Sequence, residues 1–172
     1  ARLKDCGAHA FDELSYPGDS IKQEYKEDIL VGYRWHDTKK IPALFPFGHG
    51  LSYTTFTYGK PVASAKVMAA DGTLTLTVAV KNTGSVAGKE IVQLYVGDDK
   101  CSVLRPVKEL KHFAKVALAP GEEKNVTFTL TPDDLKFYDE ASAAWKYEPG
   151  KFKAYVCASS ADVRGVVPFE MQ

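Results

Sequence analysis

The sequence predicts a mainly β protein, an antiparallel two-sheet sandwich preceded by a shorter irregular part. From about residue 59 onward, apolar residues recur at every second position in short runs. Turn sequences rich in glycine, proline, aspartate and asparagine separate these runs by about 8 to 12 residues, a spacing typical of sandwiches. Before residue 40 no hydrophobic period persists, so the two parts of the chain differ in character.

Seven or eight short strands account for the sandwich. The clearest is residues 73–81, where leucines and valines at even-numbered positions alternate with threonine, alanine and lysine. Such alternation is typical of a half-buried antiparallel strand. The other predicted strands are residues 62–69, 90–97, 107–118 (with a break near Lys111 and His112), 125–131, 151–159 and 163–169.

One face of most of these strands is predicted to enter the core. The residues predicted to face inward are Leu74, Leu76, Val78, Val80, Val92, Leu94, Val96, Phe113, Val116, Leu118, Val126, Phe128, Leu130, Phe152, Ala154, Val156 and Ala158. The strand over residues 90–97 is fairly apolar on both sides. It is therefore expected to be central or to face a neighbouring part of the protein.

Turn residues punctuate these strands. Asp71-Gly72 favours a tight hairpin, and residues 119–122 (APGE) and 149–150 (PG) favour β-turns. Residues 132–135 (PDDL) predict a short helical turn capped by an aspartate. Loops are expected at residues 82–88 and 98–106.

The first part of the chain offers weaker signals. Residues 16–19 (YPGD) favour a turn, and the polar stretch 22–28 is compatible with a single helical turn. Residues 29–31 and 33–35 resemble a short strand interrupted at Gly32. No complete hydrophobic face emerges, so this part is expected to pack against something else.

Residues 41–56 (IPALFPFGHGLSYTTF), called the connector below, join the two parts. Pro42 and Pro46 favour extended backbone and disfavour a helix. Residues 48–50 (GHG) allow a sharp turn, and residues 51–58 are rich in threonine and aromatic side chains, which suits a strand. So apolar a segment is expected to lie buried between two bodies.

Composition excludes several classes of function. The 22 basic and 22 acidic residues cancel, so neither nucleic acid nor an anionic membrane is an expected partner. No signal peptide is predicted, and the start at Ala1 suggests a processed product or a fragment. Widely spaced cysteines argue against a disulfide framework, although one bridge stays possible, and unpaired histidines argue against a metal site. These residues are Cys6, Cys101, Cys157, His9, His36, His49 and His112.

Four carboxylates in the first part of the chain are candidate catalytic groups. A glycosidase needs two carboxyl groups about 5 to 9.5 Å apart, which sequence spacing cannot establish. A solvated charged face is the favoured reading of all four, and Arg34 is expected to make a structural pair with a carboxylate. The four are Glu24, Glu27, Asp28 and Asp37.

Two motifs carry a resemblance. Residues 31–34 (VGYR) and 44–56 (LFPFGHGLSYTTF) resemble the C-terminal region of glycoside hydrolase family 3 β-glucosidases and β-xylosidases, which have a fibronectin type III-like domain. Inside the second motif the family more often has tyrosine at the position of His49. Weaker similarities to that domain lie at residues 80–84 (VKNTG), 92–96 (VQLYV), 118–122 (LAPGE) and 148–152 (EPGKF).

The resemblance implies a division of the chain. Residues 1–57 would be the end of an incomplete α/β sandwich domain with the connector, and residues 58–172 an immunoglobulin or fibronectin type III-like β-sandwich. In the family, the nucleophilic aspartate sits on a barrel and the acid/base glutamate in the α/β sandwich domain, in contexts that do not occur here. We therefore expect no catalytic, cofactor-binding or metal-binding residue in this chain, and no cofactor.

The resemblance also implies binding partners and a cellular location. The partners would be upstream catalytic domains, in the same enzyme or on a separate chain, and an oligosaccharide or glycoside substrate met through them. Family resemblance favours a periplasmic or secreted location. The chain itself is expected to be inactive and to stabilise and position the catalytic domains.

Two other functions stay open from the residues alone. The first is a carbohydrate-binding sandwich that stacks sugars on aromatic rings, with Tyr33, Trp35, Tyr53, Tyr58, Tyr138 and Trp145 as the candidates. It would require at least two exposed rings on one face. The second is a structural or adhesive sandwich.

Overall fold

The structure, a computed structural model, describes residues 18–172. Cys6, His9 and the first half of the predicted turn at residues 16–19 lie outside the described residues. One α-helix and eleven strands are present in this range. They are α1 (Tyr33–Lys39), β1 (Phe56–Tyr58), β2 (Val62–Ala63), β3 (Val67–Met68), β4 (Leu74–Asn82), β5 (Gly88–Asp98), β6 (Glu109–Leu118), β7 (Glu123–Leu130), β8 (Phe137–Asp139), β9 (Ala144–Lys146), β10 (Gly150–Ser159) and β11 (Asp162–Met171).

The strands form two facing sheets and a separate ribbon, which confirms the predicted β-sandwich. In the first sheet β4 pairs with β7 on one edge and with both β1 and β2 on the other. The second sheet has the order β3-β11-β10-β5-β6 and is antiparallel except for β3 against β11. Strands β8 and β9 pair only with each other.

The core lies between the two sheets and follows the predicted alternation closely. The inward residues of β4, β5 and β7 are buried, as are Phe152 and Ala154 of β10. The rings of Phe152 and Phe169 stack across β10 and β11 with centroids 5.6 Å apart. Strand β5 is central, as expected, and its outer side is also covered, because Gln93 and Tyr95 are buried there.

Phe113 was wrongly predicted to face the core. It is 68% exposed, while Leu118 is buried and Val116 packs against the core. Phe113 differs in parity from these two residues, so it projects from the opposite face of β6. The predicted break near Lys111 is confirmed as a bulge, since Leu94 pairs with His112 and Tyr95 with Leu110.

Residues 62–69 form two short strands instead of the single predicted strand. Strand β2 pairs with β4 in the first sheet, whereas β3 pairs with β11 in the second. The chain leaves the first sheet at Ser64, whose N–H donates to Thr75 and whose hydroxyl accepts the Thr75 N–H. Asp71-Gly72 therefore joins strands of different sheets and is not a hairpin turn. Crossing between the sheets covers an edge of each.

Residues 33–39 form a helix where a strand was predicted. Gly32 precedes α1 with φ +63°, and Lys40 ends it in the left-handed region. Helical spacing places Tyr33 and Asp37 on one face, where the Tyr33 hydroxyl accepts the Leu110 N–H and Asp37 pairs with Lys108. These tertiary contacts outweigh the strand preference of tyrosine and tryptophan. The helical turn expected within 22–28 is also wrong, since only a turn at residues 26–29 forms.

Of the remaining predicted turns, those at residues 119–122 and 132–135 form, whereas residues 149–150 do not form a turn because Gly150 begins β10. Glu122 N–H donates to Ala119 C=O across the predicted β-turn, and Gly121 takes φ +76°. Pro132–Leu135 is a 3₁₀ turn, but its cap is Thr131 and not an aspartate. Asp134 contributes from inside the turn, where its carboxylate accepts the Thr131 N–H at 2.8 Å.

Candidate functional site

Residues 47–55 of the connector are held to the sandwich at both ends of that segment. At the first end the Ser160 N–H, in the turn between β10 and β11, donates to the Phe47 carbonyl at 2.8 Å. At the second end the Thr83 N–H donates to the Thr55 carbonyl at 2.9 Å, and the Thr54 hydroxyl donates to Asn82 at 2.6 Å. The conformation of the connector is thus fixed by the sandwich.

A buried polar pair supports the first end. The Tyr95 hydroxyl donates to Gln93 Oε1 at 2.5 Å, and Gln93 Nε2 donates to the Ala158 carbonyl at 3.2 Å. Burial raises the pKa of Tyr95 well above its usual range, so the phenol stays a donor. Gly48 crosses directly over this pair with φ +78°, and a Cβ there would lie 2.1 Å from Gln93 Nε2. Only glycine fits so close a crossing.

A buried asparagine supports the second end. Asn82 Oδ1 accepts the Thr54 hydroxyl and the Gly84 N–H, and its Nδ2 donates to the carbonyls of Val86 and Leu118. All four hydrogen-bonding positions of the amide are occupied, as burial requires.

Four large side chains of the connector are exposed, although the backbone of the connector is hydrogen-bonded to the sandwich. Leu44, Phe45, Leu51 and Tyr53 are 88%, 72%, 95% and 100% exposed. These four residues are called the docking face below. The expected burial of the connector is therefore wrong for most of its large side chains in the described chain, because the sandwich engages its backbone, its small hydroxyl side chains and Phe56. A cluster of large exposed apolar side chains indicates an interaction surface.

Other connector residues lie closer to the body of the protein. The Phe47 ring is half exposed and packs 5.1 Å from Tyr33, whose ring in turn meets Tyr95 edge-on at 5.6 Å. Phe56 is in β1 and packs against the core. The His49 ring lies 6.0 Å from that of Phe45, so the position at which the family motif departs adjoins the docking face.

The four candidate carboxylates have local roles. Glu24 pairs with Lys22 and Lys26, and the hydrogen bond from Lys22 lowers its pKa. Glu27 and Asp28 lie in the turn at residues 26–29, and Asp37 pairs with Lys108 at 2.5 Å. The contacts of Glu24 lie within the first part of the chain, whereas the Asp37–Lys108 pair joins that part to the sandwich.

Arg34 joins a larger group of charges beside β6. Its Nε lies 3.7 Å from Glu109, as the expected structural pairing requires, although this atom makes no hydrogen bond. Glu109 also pairs with Arg105 at 3.1 Å and with Lys111 at 3.4 Å. Burial tends to raise the pKa of Glu109, but these cations outweigh burial and lower it. We call these four residues the β6 charge cluster.

Three of the six candidate sugar-stacking rings are engaged by the protein itself. Tyr33 is packed as described, and Trp35 lies under the Lys39 ammonium. Tyr58 donates to Glu90 at 2.7 Å. Tyr53 is exposed on the docking face. Two further rings, Tyr138 and Trp145, are exposed together on the β8–β9 ribbon, where they face each other across the strands.

Other classes of site have no support in the described residues. Cys101 and Cys157 are both free thiols. No group of three histidine, cysteine, aspartate or glutamate side chains within residues 18–172 could hold a metal ion. Over the same range, no helix is long and apolar enough to cross a membrane.

Sequence reasoning missed Asn82 and Gln93 as anchors of the connector. One signal was available for Asn82, which occupies the next even-numbered position after Leu74, Leu76, Val78 and Val80 and so continues the buried face of β4. A polar residue on a core face must find partners. Nothing comparable marked Gln93, because its role depends on a segment that crosses from about 45 residues earlier in the chain.

The chain is similar to a fibronectin type III-like domain family and to part of several β-glucosidases. Residues 90–160 match the fibronectin type III-like domain family. The chain is 66% identical to a β-glucosidase of Bacteroides ovatus and 49% identical to the thermostable β-glucosidase B of Acetivibrio thermocellus. These alignments cover 98% and 91% of this chain but only 23% and 21% of the two relatives.

A solved structure shows the same relationship. The β-glucosidase DesR from Streptomyces venezuelae superimposes with a TM-score of 0.87 at 42% identity, over 96% of this chain and 21% of DesR. The chain thus spans about a fifth of the length of the proteins it resembles.

Proposed function

Because this chain corresponds to the fibronectin type III-like C-terminal region of family 3 β-glucosidases, we propose that it is a non-catalytic module that positions their catalytic domains. In this proposal the parent enzyme removes terminal β-linked sugars from oligosaccharides or glycosides by the retaining mechanism. Residues 1–57 complete an α/β sandwich domain, and residues 58–172 are the supporting β-sandwich. The partners are the upstream catalytic domains of the same polypeptide.

The docking face is the observation that carries this proposal. Its four side chains are large, apolar and almost fully exposed, yet the backbone that carries them is anchored by Ser160, Gln93 and Asn82. Exposed apolar area of this kind is costly in water, and each such side chain gains about 1.5 to 3 kcal/mol on burial. A rigid apolar surface is suited to fixing the orientation of a second domain, because little conformational entropy is lost on docking.

Docking can be tested with a truncated relative. The Bacteroides ovatus β-glucosidase, shortened by the region that matches this chain, is mixed with the 172-residue chain. We expect binding, and recovery of aryl β-glucoside hydrolysis that the truncated enzyme has lost. A chain carrying Leu51→Ser and Tyr53→Ser should bind at least about tenfold more weakly, a loss of about 1.4 kcal/mol. The matched control is Val62→Ser, which alters an exposed side chain on β2.

The result that contradicts docking is equal binding of the double variant and the unaltered chain. Absence of catalysis is tested separately, by incubating the purified chain alone with a nitrophenyl β-glucoside. We expect no release of nitrophenol, because the catalytic aspartate and glutamate of the proposed parent lie upstream. Release by pure chain would refute the non-catalytic role.

A further inference from the structure

The β8–β9 ribbon is a rigid element that belongs to neither large sheet. Its inner side is buried through Phe137 and Asp139. The Phe137 ring lies between two cations, with the Arg105 guanidinium 5.6 Å and the Lys146 ammonium 5.9 Å from its centroid. The Arg105 contact attaches the ribbon to the loop that follows β5, and the Lys146 contact lies within the ribbon.

The turn of the ribbon is fixed by one carboxylate. Asp139 Oδ2 accepts hydrogen bonds from the Ser142 hydroxyl at 2.5 Å and the Ser142 N–H at 3.1 Å, and it pairs with Lys146 at 2.8 Å. The contacts with Lys146 and Ser142 lower the pKa of Asp139. The turn is thereby set before any ligand arrives.

The outer side of the ribbon presents an ordered pair of aromatic rings. Tyr138 and Trp145 are directly opposite in register and are 50% and 66% exposed. Their centroids are 5.7 Å apart and their planes meet at 70°. In this edge-to-face geometry each ring restricts the orientation of the other, while a face of the indole remains accessible to solvent. A ring held in this way loses little entropy when a ligand stacks on it.

The pair borders a groove of about 1010 Å³. Its far wall is formed by residues 103–106 and by Ile29 and Arg34 from the first part of the chain. Cationic and anionic side chains line it in equal number, and several of them are paired within the β6 charge cluster. The lining therefore favours a neutral ligand that has many hydrogen-bonding groups and an apolar face.

The groove is separate from the docking face. Strand β5 begins at Gly88, where a Cβ would meet the Thr54 side chain of the connector. It ends at Asp98, which pairs with Arg105 beneath the ribbon. The Thr54 end of the connector and the Arg105 side of the groove therefore lie toward opposite ends of β5, and none of the four docking-face residues lines the groove.

We propose, on the basis of the function proposed above, that this groove binds a neutral β-linked oligosaccharide. One pyranose ring stacks its C–H face on Trp145, and neighbouring hydroxyl groups hydrogen-bond to Arg34, Glu109 and Lys136. Protein interfaces exclude charged side chains from their centres, whereas small-ligand sites combine apolar rings with a few placed polar groups. The mixture in this groove fits the second description.

Tryptophan fluorescence offers a direct test, because the chain has only two tryptophans, Trp35 and Trp145. Replacing Trp35 by phenylalanine leaves Trp145 as the only reporter in the groove. The 172-residue Trp35→Phe chain is titrated with cellotetraose, laminaritetraose and xylotetraose. We expect a saturable change in the emission of Trp145 with at least one of them, at a Kd of about 1 mM or tighter.

Calorimetry on three variants separates stacking from other effects. Trp145→Ala and Tyr138→Ala should each weaken binding about tenfold or more, equivalent to about 1.4 kcal/mol. Tyr53→Ala removes a ring from the docking face that is still more exposed, and this variant should bind the tetrasaccharides normally. Circular dichroism and thermal unfolding identify any variant that is not folded. If Trp145→Ala does not fold, Tyr138→Ala and the fluorescence titration decide the outcome.

The proposal is overturned if none of the oligosaccharides binds at about 10 mM, or if Trp145→Ala and Tyr138→Ala fold and bind as the unaltered chain does. Its outcome is independent of the docking experiment. Loss of docking in the Leu51→Ser, Tyr53→Ser chain with sugar binding retained would support both sites, and either one can fail alone. Tetrasaccharides that compete with binding to the truncated relative would contradict the separation of the two surfaces.

Discussion

The N–H of Ser160 donates a 2.8 Å hydrogen bond to the carbonyl oxygen of Phe47, so the turn between β10 and β11 fixes the middle of the connector. Immediately after Phe47, Gly48 crosses over the side chain of Gln93. The position of the docking face thus depends on contacts between residues more than 40 positions apart in the sequence, and these contacts can be tested one at a time.

Gly48→Ala is expected to displace the connector. The new Cβ would overlap the Gln93 amide, and Gln93 cannot move without breaking its hydrogen bonds with Tyr95 and Ala158. A positive φ adds about 1 kcal/mol for a non-glycine residue. We expect the free energy of unfolding to fall by about 2 to 3 kcal/mol in urea denaturation, and docking to the truncated relative to weaken.

Gly121→Ala is the matched control for this prediction. Gly121 has nearly the same φ, +76°, but nothing lies within 4 Å of a Cβ at that position. Only the conformational cost of about 1 kcal/mol should appear, with no effect on docking. Equal losses of stability in the two variants would show that the crossing over Gln93 is unimportant.

Asn82→Ala is expected to lower the free energy of unfolding by about 2 to 3 kcal/mol, since it leaves buried polar groups of Thr54 and Leu118 without partners. Urea denaturation measures the loss. Thr83→Ala, on an exposed hydroxyl that pairs with Thr55, should change stability by no more than about 0.5 kcal/mol. A tolerant Asn82 would contradict its role as an anchor.

The β6 charge cluster should make stability depend on acid pH. Folding lowers the pKa of Glu109 against the opposing effect of burial. Its contribution is therefore complete above the unfolded value, about 4.3, and is lost as pH falls through the lower folded value. Glu109→Gln should cost about 1 to 3 kcal/mol at pH 7.

Urea denaturation at pH 7 and at about pH 3 tests this linkage. The difference in stability between Glu109→Gln and the unaltered chain should shrink at the lower pH, where Glu109 of the unaltered chain is also becoming neutral. Lys153 is a suitable comparison, because its pair with Asp99 is exposed, and Lys153→Gln should cost less than about 1 kcal/mol. A difference for Glu109→Gln that persists unchanged in acid would refute the linkage.

Thiol labelling should distinguish the two described cysteines. Cys157 is buried in β10, and burial raises its pKa to about 12, so its reactive thiolate is scarce at pH 8. Cys101 lies partly exposed in the loop after β5. With Cys6 replaced by serine, one thiol should react with a disulfide reagent in the folded chain and a second only after unfolding. Two rapid equivalents in native chain would contradict the buried position of Cys157.

Much of the sandwich could be predicted because strand alternation is a local property. In β4 and β7 each inward residue follows from a period of two, and both strands have the predicted faces. Phe113 was wrongly assigned to the core although its parity differs from that of Val116 and Leu118, and the rule failed for residues 62–69, which divide between two sheets. The pairing partners of short edge strands depend on residues far away in the sequence. A local pattern carries no information about those residues.

The helix α1 is a second case in which tertiary contacts override what the local sequence predicts. Residues 33–39 contain tyrosine and tryptophan and favour a strand by composition, yet they form a helix because Tyr33, Asp37 and Thr38 reach residues 107–110 from one helical face. The contact energy comes from partners about 70 positions away. Local propensity is too weak to resist it.

The sequence by itself determined the sandwich class, the inward faces of its long strands and the family of the connector motif, because these depend on short-range periodicity and on a specific run of residues. Only the tertiary structure decided that the connector is anchored through its backbone with Leu51 and Tyr53 turned outward. It also brought Tyr138 and Trp145 together, across a turn, on one face of a ribbon. Which side chains are exposed and which lie side by side depends on contacts between distant segments of the chain. For the connector, the buried side chains of Gln93 and Asn82 provide those contacts.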